Sequence, residues 1–226
     1  MIKLPKPGEY IDIHTHDARS AANAFIIENL MAHEGRSPVD IPEQACSFGI
    51  HPWFLNEKNY SQLINGVNNA AGFPNLLAIG ECGFDKLRGP SIELQRKAFE
   101  EQISISEAIG KPVVIHCVRA WDELLPEVKR VRPKMPWFVH GFRGNTELAE
   151  QLLSKGMYLS FWFDFVIRPE AAHILRSLPN ERIFLETDSS DIDIRDIYKK
   201  VASDLNLQVD ELKSIILENF RRFFKV

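Results

Sequence analysis

Cysteine is scarce in this 226-residue sequence: Cys46, Cys82 and Cys117 are the only three, and no two form a C-x-x-C pair. An odd, scattered set gives neither a disulfide framework nor a zinc knuckle, and reduced thiols follow. A long apolar run is also missing. Nowhere do the roughly 18 consecutive apolar residues of a spanning helix occur, and Met1 to Gly8 carry no apolar signal core, so a cytoplasmic protein that does not engage a membrane is expected. Nor is there an excess of charge of one sign. With 27 Lys and Arg against 31 Asp and Glu, the net charge is −4. This excludes the broad basic face that grips duplex DNA through many phosphates, so any nucleic acid must be held locally, at a site. Solenoid repeats, low-complexity tracts and Gly/Ser linkers are absent as well. One domain spanning 1–226 is therefore expected, and its 45% hydrophobic content is enough for a substantial core.

What the sequence has is a rhythm. Eight short apolar runs recur: Tyr10 to His14, Asn23 to Ile27, Cys46 to Ile50, Leu76 to Gly80, Pro112 to His116, Pro136 to His140, Met157 to Phe161 and Arg182 to Glu186. Their length and turn-rich borders mark strands. Stretches of helical period lie between or after them: Tyr60 to Ala71, Ser91 to Ile109, Ala120 to Arg130, Thr146 to Ser154, Pro169 to Leu178, Asp193 to Leu205 and Asp210 to Phe224, the last with Asp210 as a candidate cap. Strand and helix in alternation predict an α/β fold, a TIM-type (β/α)8 barrel. The rhythm breaks once. Only Asp17 to Asn23 separates the first two strand runs, too short for a crossover helix, so the barrel is distorted there and its first crossover helix is missing.

The chemistry sits at the strand ends. His14 and His16 alternate onto one face of the first strand, about 7 Å apart, where they can share a metal. Glu81 follows the fourth run, His116 and His140 end the fifth and sixth, and Asp188 follows the eighth. Barrel enzymes place catalysis at this edge, and burying four imidazoles and two carboxylates there without partners would be costly. Mixed nitrogen and oxygen donors suit divalent Zn, Mn or Mg. Six ligands exceed one tetrahedral centre, so two metal ions are expected, with Glu81, midway in strand order, as the bridge.

In Asp12-Ile13-His14-Thr15-His16, Gly49-Ile50-His51-Pro52-Trp53, Ala78-Ile79-Gly80-Glu81-Cys82-Gly83-Phe84-Asp85, Val114-Ile115-His116, Val139-His140-Gly141-Phe142 and Leu185-Glu186-Thr187-Asp188-Ser189, the sequence resembles the TatD family of metal-dependent deoxyribonucleases. The resemblance implies a distorted TIM barrel with a binuclear centre. In it, His14 and His16 would hold one metal, His116 and His140 the other, with Glu81 bridging and Asp188 on the first metal. It also implies phosphodiester hydrolysis, typically removal of nucleotides from DNA ends. Two departures stand out: the stretch between His16 and His51 is shorter than the family pattern, and Ser190-Asp191-Ile192-Asp193-Ile194 leads almost directly into a helix where the family has a proline-rich loop.

On this reading Glu81 and Asp188 are the catalytic carboxylates, with Asp188 accepting the proton of a metal-activated water. His51, Lys86, Arg119 and Arg143, all just past strand ends, would meet the substrate, whether single-stranded or end-bound DNA or a small phosphoester. No obligate protein partner is evident. Trp53, Phe142 and Trp162 are placed to stack on bases, with core packing the default for each. Alternation turns Cys82 and Cys117 towards the helix layer, and His33 and His173 read as surface residues. Hydrolysis of a small-molecule ester or C–N bond on the same metals, and a metal-bound scaffold without activity, are the competing expectations.

Overall fold

A computed structural model describes residues 2–17 and 23–226. Eight strands follow one another in chain order in one sheet: β1 (Tyr10–Thr15), β2 (Ala24–Met31), β3 (Cys46–Gly49), β4 (Leu76–Asp85), β5 (Val113–Val118), β6 (Trp137–Val139), β7 (Tyr158–Phe161) and β8 (Ile183–Leu185). Among the described residues eight α-helices accompany them: α1 (Tyr60–Ala70), α2 (Ile92–Ile109), α3 (Trp121–Val131), α4 (Thr146–Ser154), α5 (Phe163–Val166), α6 (Ala171–Ser177), α7 (Ile194–Leu205) and α8 (Val209–Phe224). The expected missing helix between β1 and β2 falls largely on residues 18–22, outside the described residues.

The chain divides into two compact units, Asn29–Val139 with the first two residues, and Lys3–Glu28 with His140–Val226. In the first, β3, β4, β5 and β6 pair in parallel, in that order. Leu30, Cys46, Phe48, Val67, Leu76, Ile79 and Ala98 form part of its core, where α1 and α2 cover the strands. Helix α2 starts where Ser91 Oγ accepts from Leu94 N at 3.4 Å and stops at Gly110, in the left-handed region at φ 66°. In the second unit β1 pairs with β2 and β7 with β8, each in parallel. Its core is aromatic: Tyr158 stacks on Phe184 at 5.4 Å and Phe223 meets both edge-on. Each such buried ring contributes about 1.5–3 kcal/mol.

Several boundaries differ from the sequence reading, β2 running on to Met31 and β5 to Val118 among them. Helix α8 begins after Gln208, whose backbone N–H donates to Glu211 Oε2 at 2.7 Å in a capping box. Asp210 is therefore not the cap but a first-turn residue, paired with Lys213 at 3.0 Å. Strand β4 continues five residues past Gly80, so Glu81 lies inside the strand and not beyond it. Gly80 and Gly83 do not break β4 but let it pack tightly: a Cβ on Gly83, at φ 146°, would lie 2.0 Å from the His116 carbonyl oxygen.

Candidate metal centre

In the first unit, β3, β4 and β5 bring three donors together. His51, just past β3, Glu81 on β4 and His116 on β5 offer ligand atoms within 4.8 Å of one another. Glu81 is 1% exposed, its Oε1 standing 2.6 Å from His116 Nδ1 and 3.1 Å from His51 Nε2. The other oxygen is occupied differently: Asn29 Nδ2 donates to Glu81 Oε2 at 3.2 Å. Asn29 Oδ1 in turn accepts from Glu81 N at 3.1 Å and from Ser47 Oγ at 2.9 Å. Asn29 thus fixes both the backbone and the carboxylate of Glu81, leaving Oε1 turned to the imidazoles. His51 is aimed by its own turn, because its Nδ1 accepts from Trp53 N at 3.1 Å.

His116 Nε2 lies 3.1 Å from Asp85 Oδ2, an oxygen that also accepts from Trp53 Nε1 at 2.5 Å. Asp85 Oδ1 accepts from Leu87 N and Arg88 N at 2.7 and 3.0 Å. Burial works to raise the Asp85 carboxyl, but the bonds with His116, Trp53 and Leu87 outweigh it and bring it down to about 2.

The second unit gathers His14, His140 and Asp188, again with ligand atoms within 4.8 Å of one another. Asp188 is anchored to β1 by backbone bonds in both directions: its N–H donates to His14 O and its carbonyl accepts from His16 N, both at 3.0 Å. His16 Nε2 stands 3.4 Å from Asp188 Oδ1. Behind them Asp12, 3% exposed, takes Thr187 N at 3.0 Å and Thr187 Oγ at 2.6 Å. Burial pushes the Asp12 carboxyl up to about 7 against the pull of these bonds. Glu186, fully buried, accepts from Gly141 N at 2.6 Å and from Ser160 Oγ, with His140 Nδ1 3.6 Å away. Burial raises Glu186, yet the nearby His140 imidazole and the charges of His140 and His14 hold it below the usual glutamate range.

Both clusters fit a divalent cation by their donor chemistry. Each combines two imidazoles with a carboxylate whose ligand atoms lie within 4.8 Å of one another, a donor set that divalent cations take. In the first cluster His116 also shows the pattern of a metal-ligating histidine, one ring nitrogen towards the cluster and the other on a carboxylate. The cations expected near substrate stand differently. Lys86 is paired with Asp122 and Glu123 at 2.5 and 2.9 Å, and Arg143 with Asp164 at 3.2 Å while lying over Trp162. Arg119 is exposed. Phe142 is fully buried core, whereas Trp53 is 36% exposed.

Asn29, Asp85, Glu186 and Asp12 carried no assigned role in the sequence reading. Asp85 and Glu186 were within reach of it, lying at alternating positions from Glu81 and Asp188 on the same motifs. Asn29, reaching across from β2, leaves no spacing signal.

Parallel strands that gather imidazoles and carboxylates are the framework on which metal-dependent barrel hydrolases are built. Residues 39–225 match the model of the TatD related DNase family, and the chain belongs to that family. It is 32% identical over 210 residues to the 3'-5' ssDNA/RNA exonuclease TatD of Edwardsiella piscicida, covering 88% of this chain and 80% of that protein. It is also 36% identical over 151 residues to the human 3'-5' RNA nuclease TATDN2, a match covering 63% of this chain but only 20% of the human protein. The fold is that of YjjV, a TatD homolog from Escherichia coli, with a TM-score of 0.81 at 21% identity over 96% of this chain and 98% of that one. This likeness gives the chain the TIM-type barrel fold expected of the sequence.

Proposed function

We propose that this chain is a divalent-metal-dependent phosphodiesterase that shortens single-stranded DNA or RNA from the 3′ end. The observation that carries the reading is the pair of imidazole–carboxylate clusters on and just past the strands, in a chain whose relatives are named as 3'-5' nucleases. Those relatives do not favour the alternative of a small-molecule ester or C–N bond as substrate. Two cations among Zn, Mg and Mn are the proposed complement, with His14, His16, His116, His140, Glu81 and Asp188 as ligands and His51 beside Glu81 and His116. When bound, such cations polarise phosphoryl oxygens and supply a nucleophilic water near neutral pH. The chain's own residues do the rest. Asp188 Oδ1 accepts the proton of the attacking water, held in place by its backbone bonds to β1. Glu81 orients His51 and His116 through Oε1, and Asn29 holds Glu81. Arg119 and Arg143 meet the phosphates of the strand. A cytoplasmic setting accords with three cysteines that form no disulfide, two of them buried.

The test is a 5′-labelled single-stranded oligonucleotide incubated with chelator-stripped protein to which Mg, Mn or Zn is restored. A ladder of products shortened from the 3′ end is expected only with metal, and failure of all three ions to support cleavage overturns the reading. Metal binding has an independent readout: an ion present at a hundredfold over its Kd adds about 2.7 kcal/mol of stability. Stripped protein is therefore expected to melt several degrees lower than reloaded protein.

Asn29→Leu separates holding Glu81 from ligating metal. It removes both bonds to Glu81 and leaves the buried Glu81 N–H and Ser47 hydroxyl without this partner, at about 1–3 kcal/mol for each group left unmade. Calorimetric titration is expected to show metal affinity about 10–100-fold weaker, as for other outer supports of a metal site, together with a lower Tm.

A further inference from the structure

Beside the first cluster lies a feature that the proposed chemistry does not use. After β3 the chain makes a 3-10 turn, Pro52–Phe54, that exposes two aromatic rings side by side, Trp53 at 36% and Phe54 at 39%. Each has a planar group lying over it. The Arg88 guanidinium lies 4.0 Å from the Trp53 ring centre, and the His33 imidazole lies 3.7 Å from Phe54 at an interplanar angle of 13°. Arg88 and His33 are themselves exposed. Partial burial against its surroundings lowers the His33 pKa.

This surface is held rigidly. Asp85 ties the Trp53 indole N–H and the amides of Leu87 and Arg88 to one carboxylate. Gly89 packs so tightly on the turn that a Cβ there would lie 2.6 Å from the Pro52 carbonyl oxygen. The surface also adjoins the chemistry: the Trp53 ring centre is 4.8 Å from that of His51 and 5.8 Å from that of His116. Exposed flat faces with a guanidinium among them, one nucleotide's reach from a phosphate-cleaving site, match what unpaired bases need. Aromatic and guanidinium planes hold bases whatever their sequence.

We propose that Trp53, Phe54, Arg88 and His33 form a stacking platform for the terminal bases of a single-stranded nucleic acid, set beside His51 and His116. This rests on the phosphodiesterase reading and adds the part of the substrate that the platform recognises, the base and not only the phosphate. Bases extend the two stacks, and Arg88 contributes a positive charge next to the adjoining phosphate.

The test compares, with metal-loaded enzyme, a ten-nucleotide strand and the same strand with its two 3′-terminal nucleotides abasic. The abasic strand is expected to have a KM about tenfold or more higher, with kcat changed less. In Phe54→Ala and Arg88→Ala the difference between the two strands is expected to shrink, and in Trp53→Phe, which keeps a ring, to persist in large part. The three substitutions fall on exposed side chains, and thermal melts verify that each variant is folded. Equal KM values for the two strands, or a difference that survives Phe54→Ala and Arg88→Ala unaltered, overturns the platform. Hydrolysis of bis(p-nitrophenyl) phosphate, which has no base, reports on the phosphodiesterase reading alone. Turnover of that ester without base discrimination sinks only the platform, whereas no turnover of either ester or strand sinks the reading beneath it.

Discussion

Glu81→Gln is expected to lower kcat/KM on single-stranded substrate by well over about 100-fold, past the range seen when only an outer support of a metal site is lost. The side chain keeps its size and its bonds with Asn29 can re-form, so the melting curve of the metal-free protein should barely move. What disappears is the negative charge on an oxygen 2.6 Å from one imidazole and 3.1 Å from another. An amide is a weak metal ligand and balances no cation charge. Metal content, measured by atomic emission after dialysis, should fall with activity. Full metal occupancy with unchanged turnover would remove Glu81 from the centre.

Gly83→Ala is expected to have the largest effect on the fold. Gly83 sits opposite His116 in the β4–β5 register, and an added Cβ would lie 2.0 Å from the His116 carbonyl oxygen. The clash is with backbone, so no side-chain rotation relieves it, and φ of 146° is itself unfavourable for alanine. Overpacking and backbone strain together cost about 3 kcal/mol or more, which for a chain of this size lowers Tm by about 6–12 °C. Relief requires β5 to move away from β4, carrying His116 from Glu81. Activity measured well below the new Tm should therefore fall further than the loss of folded protein explains. A variant with wild-type Tm would show that the two strands are less closely packed than these distances imply.

How much of this was legible beforehand follows from the range of each interaction. Strand positions came from runs of apolar residues, and the six candidate ligands from their places at or just past the ends of those runs; both are local patterns. Glu81 was placed outside its strand because glycine usually punctuates, whereas Gly80 and Gly83 here serve close approach to neighbouring backbone. Lys86 and Arg143 were read as cations meeting the substrate, and their acidic partners, Asp122, Glu123 and Asp164, escaped notice because they lie on helices more than twenty residues further along. Asn29 was invisible for the same reason: its partner Glu81 is 52 residues away. Helix α5, at four residues, is too short to leave a periodic signature. Asp210 was a reasonable cap by residue type, and only the reciprocal Gln208–Glu211 bond decides otherwise.

The shared oxygen of Asp85 limits how freely this enzyme can be re-engineered. Trp53 Nε1 and His116 Nε2 both converge on Oδ2. Replacing the indole with any ring that lacks an N–H leaves that oxygen to the histidine alone, and a stronger carboxylate contact makes an imidazole a better electron donor at its opposite nitrogen. Altering substrate preference at position 53 therefore retunes the histidine as well, and a library built there should be screened for metal preference alongside substrate choice.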